Sequence, residues 1–278
     1  MLKTAMILIF IIAGFIGCSG SDSGNSSNDP EIKFYLHFND HATGVYNETH
    51  LCEDWNCPSW NDGVSRGRVE IIDENGDKAM RVFYPEGKYG PSESGAQWKH
   101  EINNYDELYF SYRIKFEDNF DFVRGGKLPG LAGGTANTGG NTPNGSDGWS
   151  ARMMWKRNGG IVQYVYHPDQ YQNLPYGDEF PWESGGQQCR FVPGVWYHIE
   201  VRIVMNTPQE KDGIIQAWLN GIKVLDRKNI RFRDVENLSI DIDYFSTFFG
   251  GGDSSWAATK DEFIFFDDFI ISTRAITH

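Results

Sequence analysis

Four cysteines in 278 residues are too few for a disulfide scaffold. Basic side chains are also in short supply: 25 Lys+Arg stand against 38 Asp+Glu, a formal net charge of −13. That balance excludes a protein that coats nucleic acid or an anionic membrane through its overall charge. No repeat period runs through the sequence, and from residue 31 onward no long stretch keeps helical periodicity. Aromatic side chains, by contrast, are plentiful: they make up 15% of residues within a hydrophobic fraction of 40%, which excludes a disordered chain. A chain of this length can bury the core of one large β domain.

Residues 1–17 read as an export signal. Met1-Leu2-Lys3 is a short basic start, and Ala5 to Ile16 is an apolar run of the size of a secretory h-region, too short to span a bilayer comfortably. The run ends in Phe15-Ile16-Gly17-Cys18, which resembles a bacterial lipobox with Phe where Leu is usual. The resemblance implies that Cys18 is acylated and becomes the new N-terminus of an exported lipoprotein, at the outer membrane or cell surface. An ordinary cleaved signal peptide with an incidental cysteine is the alternative. Residues 18–30, rich in Ser, Gly and Asn, form a flexible tether. Residues 31–278 then form a single domain, expected to be monomeric and to meet the membrane only through the lipid.

Three cysteines remain. Cys52 and Cys57 lie five apart and can close a small loop in an oxidising compartment, whereas Cys189 is left over and expected to be buried. Zinc needs four convergent ligands, and no second Cys/His cluster supplies them. Neither a metal nor another cofactor is expected.

Alternation dominates the body. In Trp196 to Met205 the residues Tyr197, Ile199, Val201, Ile203 and Met205 face one way, and His198, Glu200 and Arg202 the other. Leu108 to Phe116, Ile214 to Leu219 and Phe263 to Ser272 behave alike, and Asn220-Gly221 signals a tight hairpin. Many strands with closely spaced turns predict an all-β, antiparallel sandwich of jelly-roll type with a concave groove. Between Gly125 and Gly148, nine of 24 residues are glycine, which reads as one long functional loop. It lacks the Gly-Lys-Ser/Thr ending of a phosphate loop, so its glycines point to close backbone approach to a ligand.

The next segment, Trp149 to Lys156, places Trp149, Ala151, Met153 and Trp155 on one face and Ser150, Arg152, Met154 and Lys156 on the other. Ile161 to His167 follows, with Tyr164 and Tyr166 sharing a face. A three-residue turn between the two sets Arg152 opposite Tyr164 and Ser150 opposite Tyr166; a two- or four-residue turn sends the tyrosines away from Arg152. The converged face suits an acidic polysaccharide. Uronate elimination needs a neutralised carboxylate, a base for the C5 proton and an acid for the leaving O4. Arg supplies the first through paired hydrogen bonds, and Tyr or Lys with a shifted pKa the others.

Gly126-Lys127-Leu-Pro-Gly-Leu131-Ala-Gly-Gly134, Trp149-Ser-Ala-Arg-Met-Met-Trp155, Tyr164-Val-Tyr166, Asn206-Thr-Pro208 with Asp212-Gly213, and Phe248-Phe-Gly-Gly251 together resemble alginate lyase family fourteen and the related jelly-roll glucuronan and ulvan lyases. The resemblance spans most of residues 80–272 and favours the converged register. It implies β-elimination on a 4-linked uronate polymer of the alginate, ulvan or glucuronan class, and a groove holding Lys127, Ser150, Arg152, Tyr164 and Tyr166. Arg152, with Ser150 or Gln97, then binds the carboxylate. Lys127 and one tyrosine, Tyr166 rather than Tyr164, divide the base and acid roles. A cluster of Lys127, Arg152 and Lys156 is expected to make the groove positive within a negative shell.

Other residues read as structural: His167 by its strand parity, and Asp267-Asp268 as turn or strand partners rather than calcium ligands. Trp98 and Trp182 read as sugar platforms or core, the commoner place for large aromatics. His100 is a weaker proton-transfer candidate. A non-catalytic carbohydrate-binding module would not need Lys127 and the tyrosine pair. A sandwich glycoside hydrolase would need two carboxylates, and no Glu-x-Asp-x-Glu pattern is present.

Overall fold

Period-two alternation becomes strand along nearly the whole chain of the computed structural model, which describes residue 29 and residues 31–276 except 172–175. Cys18, the leader and most of the tether lie outside the described residues. The early strands are β1 (Ile32–Leu36), β2 (Gly44–Val45), β3 (Asn61–Asp62), β4 (Val69–Glu74), β5 (Asp77–Tyr84) and β6 (Ala96–Tyr105). The middle ones are β7 (Glu107–Phe116), β8 (Gly125–Gly134), β9 (Gly148–Lys156), β10 (Ile161–Tyr166), β11 (Asp178–Pro181), β12 (Glu183–Ser184) and β13 (Gln187–Gln188). The last are β14 (Trp196–Val204), β15 (Gly213–Leu219), β16 (Ile222–Ile230), β17 (Ile240–Phe249) and β18 (Glu262–Ser272).

Two antiparallel sheets carry all of them but β12 and β13, which pair only with each other. One runs β16-β15-β14-β7-β18-β5-β4-β2, with β1 also paired to β18; the other runs β11-β10-β9-β8-β17-β6-β3. Sequence neighbours such as β8 and β9 pair directly, while β17 crosses in between β8 and β6, the long-range connection of a jelly roll. In β14 the residues Tyr197, Ile199, Val201 and Ile203 are buried as the alternation requires. Asn220 and Gly221 turn β15 into β16 with positive φ at both positions, the geometry of a two-residue hairpin.

Aromatic side chains fill the space between the sheets. Trp98 of β6 stacks on Phe245 of β17 at 4.0 Å between ring centres, and Phe116 of β7 meets Trp155 of β9 edge-on at 5.7 Å. Such pairs add about 0.5–1.5 kcal/mol each beyond area burial. They also fix the seven-stranded sheet from beneath, so the side chains on its other face stand on a rigid floor.

Three expectations need correction. Residues 125–134 are strand β8, and only 135–147 form the connection to β9. The glycines are there because neighbouring chains approach too closely for a side chain: a Cβ on Gly130 would lie 2.4 Å from the Ala151 carbonyl oxygen. Pro129 sits where the β8–β9 register shifts, a bulge that needs no ladder donor. Second, a two-turn helix, α1 (Glu48–Trp55), occupies the segment before Trp60, capped by Asn47 and ended by Asn56 in the left-handed region. Only Leu51 and Trp55 of α1 are buried, too short an apolar stripe to register as helical periodicity. Cys52 and Cys57 are disulfide-bonded across its end. Third, Cys189 is half-buried at the core's margin rather than inside it.

Candidate active site

The β9–β10 hairpin decides whether an active site exists. Its turn is Arg157–Gly159, with Asn158 and Gly159 at positive φ, so three residues link the strands. Arg152 therefore pairs with Tyr164, and Ser150 with Tyr166. Trp149, Ala151, Met153 and Trp155 enter the core, leaving Ser150, Arg152, Met154 and Lys156 on the outer face with both tyrosines.

Lys127 reaches the same face from β8, where it pairs with Met154 on one side and Phe248 of β17 on the other. Its Nζ lies 3.8 Å above the centre of the Tyr164 ring and 2.8 Å from Met154 Sδ. Burial, then the charges of Arg152 and Lys156, hold this amine well below the ordinary lysine range. The Tyr164 hydroxyl is 3.3 Å from that of Tyr166, and burial with this contact pushes the Tyr164 phenol up. Tyr166 also accepts a hydrogen bond from Gly140 N in the 135–147 loop.

Arg152 is 3% exposed, and its side chain crosses the β8 bulge to β17. Nη1 donates to Ser246 Oγ at 2.9 Å, the guanidinium lies 5.0 Å from the Tyr244 ring centre, and Nε has no partner. Ser246 in turn donates to Gln97 Oε1 at 3.2 Å, which also accepts from the Tyr244 hydroxyl. No carboxylate lies within 4 Å of Arg152 or Lys127 among the described residues. A buried guanidinium with no carboxylate partner among the described residues, in a chain of charge −13, is suited to bind an anionic group.

Residues 73–269 match polysaccharide lyase family 14. The chain belongs to that family. No curated protein sequence matches it. Among solved structures it is similar to alginate lyase Aly36B, at 28% identity and TM-score 0.76, with 90% of this chain and 99% of that one covered. It is also similar to the marine family 14 alginate lyase from Aplysia kurodai, at 26% identity and TM-score 0.70, covering 87% and 99%. The endo-β-1,4-glucuronan lyase from Trichoderma reesei shares the fold at 14% identity and TM-score 0.53, covering 84% and 96%. The chain is thus a polysaccharide lyase. Because elimination depends on a carboxylate next to the abstracted proton, its substrate is an acidic polysaccharide.

Seen as a family 14 lyase, the protein brings together Lys127, Arg152, Tyr164, Tyr166 and Gln97, the last through Ser246. Ser150 shares their face, yet its fully buried hydroxyl donates to the Asn137 carbonyl and so fastens the 135–147 loop. Lys156 is ion-paired with Glu179 at 2.6 Å, so it adds less free charge than its position suggests. Ser246, Tyr244 and Lys99 belong to the groove and went unnoticed in the sequence. Their signal was the alternation of β17 (242, 244, 246, 248) and of β6 (97, 99), which puts them on one face. Trp256, from the turn after β17, packs against the Met154 and tyrosine cluster and flanks the site.

The remaining candidates lie elsewhere. His100 faces the core, with Nδ1 3.6 Å from the fully buried Asp243, and cannot reach a sugar in the groove. His167 is buried with Nε2 3.0 Å from Asp178, and burial lowers its pKa despite that carboxylate. Trp98 and Trp182 are core, and Asn206 spends its amide on the backbone of the 207–210 and 232–233 segments. Asp267 and Asp268 flank Arg113 on the other sheet. A cleft of about 730 Å³ lined by Phe122, Arg124, Arg157 and Ser255 contains none of the expected site residues.

Proposed function

We propose that this enzyme cleaves alginate-type chains of 4-linked uronates, with Arg152 as the carboxylate-binding group, Lys127 as base and Tyr166 as acid. The observation that carries the reading is the buried Arg152, with Nε unbonded and no carboxylate partner among the described residues, beside a lysine whose amine is disposed to be neutral. Arg152 and Gln97 hold the carboxylate of the sugar to be cleaved and draw electron density from C5. Neutral Lys127 takes the C5 proton, the C–H pair becomes the C4=C5 double bond, and the C4–O4 bond breaks. Tyr166, hydrogen-bonded to Tyr164, delivers its proton to the departing oxygen; Tyr164, kept protonated by its surroundings, donates a hydrogen bond to the phenolate left behind. As the product leaves, Tyr166 regains a proton from solvent while Lys127 gives one up. Ser150 positions the loop over the tyrosines. Support comes from two structures of Aly36B variants, one lacking a lysine and a tyrosine and bound to an alginate tetrasaccharide, the other lacking a lysine and a methionine and bound to a trisaccharide. Lysine, tyrosine and methionine meet here as Lys127, Tyr164, Tyr166 and Met154.

The test is activity of the purified protein on alginate, glucuronan and ulvan, followed by the ultraviolet absorbance of the unsaturated uronate. Alginate is expected to give the highest kcat/KM; absorbance with ulvan or glucuronan alone refutes the choice of polymer. We further propose export as a lipoprotein acylated on Cys18, supported by the apolar run and the lipobox-like segment. Labelled palmitate should enter the wild-type protein and not Cys18→Ser; equal labelling refutes it.

A further inference from the structure

On the same groove face, with β8 and β17 between its strand and that of Arg152, stands a second cation with no counter-ion among the described residues. Lys99 of β6 is half-buried, and its Nζ donates to the Thr135 carbonyl oxygen at 3.0 Å. It lies 5.5 Å from the centre of the Tyr244 ring, the ring that also lies beneath Arg152. No carboxylate comes within 4 Å of it among the described residues. Asp241 and Glu101 are near enough to favour its charged form, but Arg152 and burial oppose them. Asp241 is committed to Gly134 N. An ammonium has three donors, and one carbonyl satisfies one of them.

We propose that Lys99 is a second carboxylate-binding position, adjoining Arg152 across Tyr244, so that the groove takes two uronates in direct succession. The inference rests on the reading of Arg152 given above. It narrows the substrate to stretches of contiguous uronates, because a neutral sugar beside the cleaved one leaves the Lys99 ammonium desolvated without an anion. The acids Glu101 and Asp241 mark where the cationic strip ends on this side.

Fastening Thr135 needs a donor but no charge, so Lys99→Gln and Lys99→Arg separate the two jobs. Binding of an oligouronate is measured by calorimetry in the Lys127→Ala background, which removes turnover. Lys99→Gln in that background is expected to weaken Kd roughly tenfold, the range for a hydrogen bond to a charged group, and Lys99→Arg to restore most of it. In the otherwise wild-type enzyme, Lys99→Gln should raise KM on a uronate homopolymer with kcat within about twofold. On a polymer whose uronates alternate with neutral sugars its KM should fall below that of the wild type, because Gln removes the ammonium that such a substrate leaves without an anion. Unchanged affinity in folded Lys99→Gln, or no recovery with Lys99→Arg, overturns the Lys99 position alone. If Lys127→Ala binds no oligouronate at all, the reading of the groove falls and Lys99 with it.

Discussion

An amine that must act as a base near neutral pH has to be kept from its proton, and Lys127 is surrounded for that purpose. Replacing it by Ala should lower kcat by about 10²–10⁴-fold, the usual worth of a positioned acid or base, with the thermal midpoint unchanged or raised. Absorbance assays and a melting curve check both halves. The working form is the neutral amine, so kcat/KM should climb as pH rises through the lowered Lys127 pKa and then level off. Lys156→Met removes one of the charges that lower that pKa and frees Glu179, which raises it. The acid limb of the pH–rate profile should therefore move to higher pH; a limb that stays in place assigns the titration to another group. Lys127, Arg152 and the tyrosines were legible in the sequence because each sits in a short, distinctive string. Lys99, Tyr244 and Ser246 were not, since a lone lysine or serine on an alternating strand looks like any wet face until the opposite strand is known.

Elements were legible to the extent that alternation was clean. β7, β14, β15 and β18 follow their apolar periods to within a residue or two, whereas β8 is half glycine and reads as loop by composition. What makes it a strand is tertiary: its glycines fit between β9 and β17, information that no local pattern holds. α1 escaped for the opposite reason, being held by Asn47 at its start and two buried side chains rather than by an apolar stripe. In β18 the buried Asp267 makes a prediction about stability. Burial first, then Asp268, push its carboxyl up to about 7 from an ordinary 3.8. A raised pKa in the folded state means that the stabilising contribution is full in acid and is lost as pH rises from about 4 through about 7. Asp267→Asn should accordingly be more stable than wild type at pH 8, by ~1–3 kcal/mol in denaturant titrations, with the gap closing toward pH 4. Arg113 keeps Asp77 and Asp268 as partners in that variant. A variant less stable at every pH would show that Arg113 holds Asp267 ionised.

At the scale of the whole molecule, net charge and groove charge have opposite signs. A polyanion approaching a body of charge −13 is repelled at long range and attracted only on reaching Arg152 and Lys99. Screening lengths are ~30 Å at 0.01 M salt, ~8 Å at 0.15 M and ~3 Å at 1 M. The first increments of salt should relieve repulsion and raise kcat/KM, and further salt should weaken the contacts and lower it. A steady decline from the lowest salt would mean that local attraction governs encounter at every distance. The sandwich itself followed from strand number and turn spacing, whereas of the three cations expected to make the groove positive Lys127 is held toward its neutral form and Lys156 is ion-paired, which leaves Arg152. The true membership of that cation set depended on Glu179 reaching Lys156, a contact between segments that only folding brings together.

Besides its bonds to Asp234 and Gln170, the loop over residues 135–147 is held by three groove residues: Ser150 at Asn137, Tyr166 at Gly140 and Lys99 at Thr135. It is therefore not a module that can be exchanged freely among homologues. A transplanted version would tug on the proton donor and on a cation together, so substitutions there should show epistasis with Tyr166 and Lys99. Attempts to redirect this lyase by loop grafting would do best to move the loop together with the three side chains that fasten it.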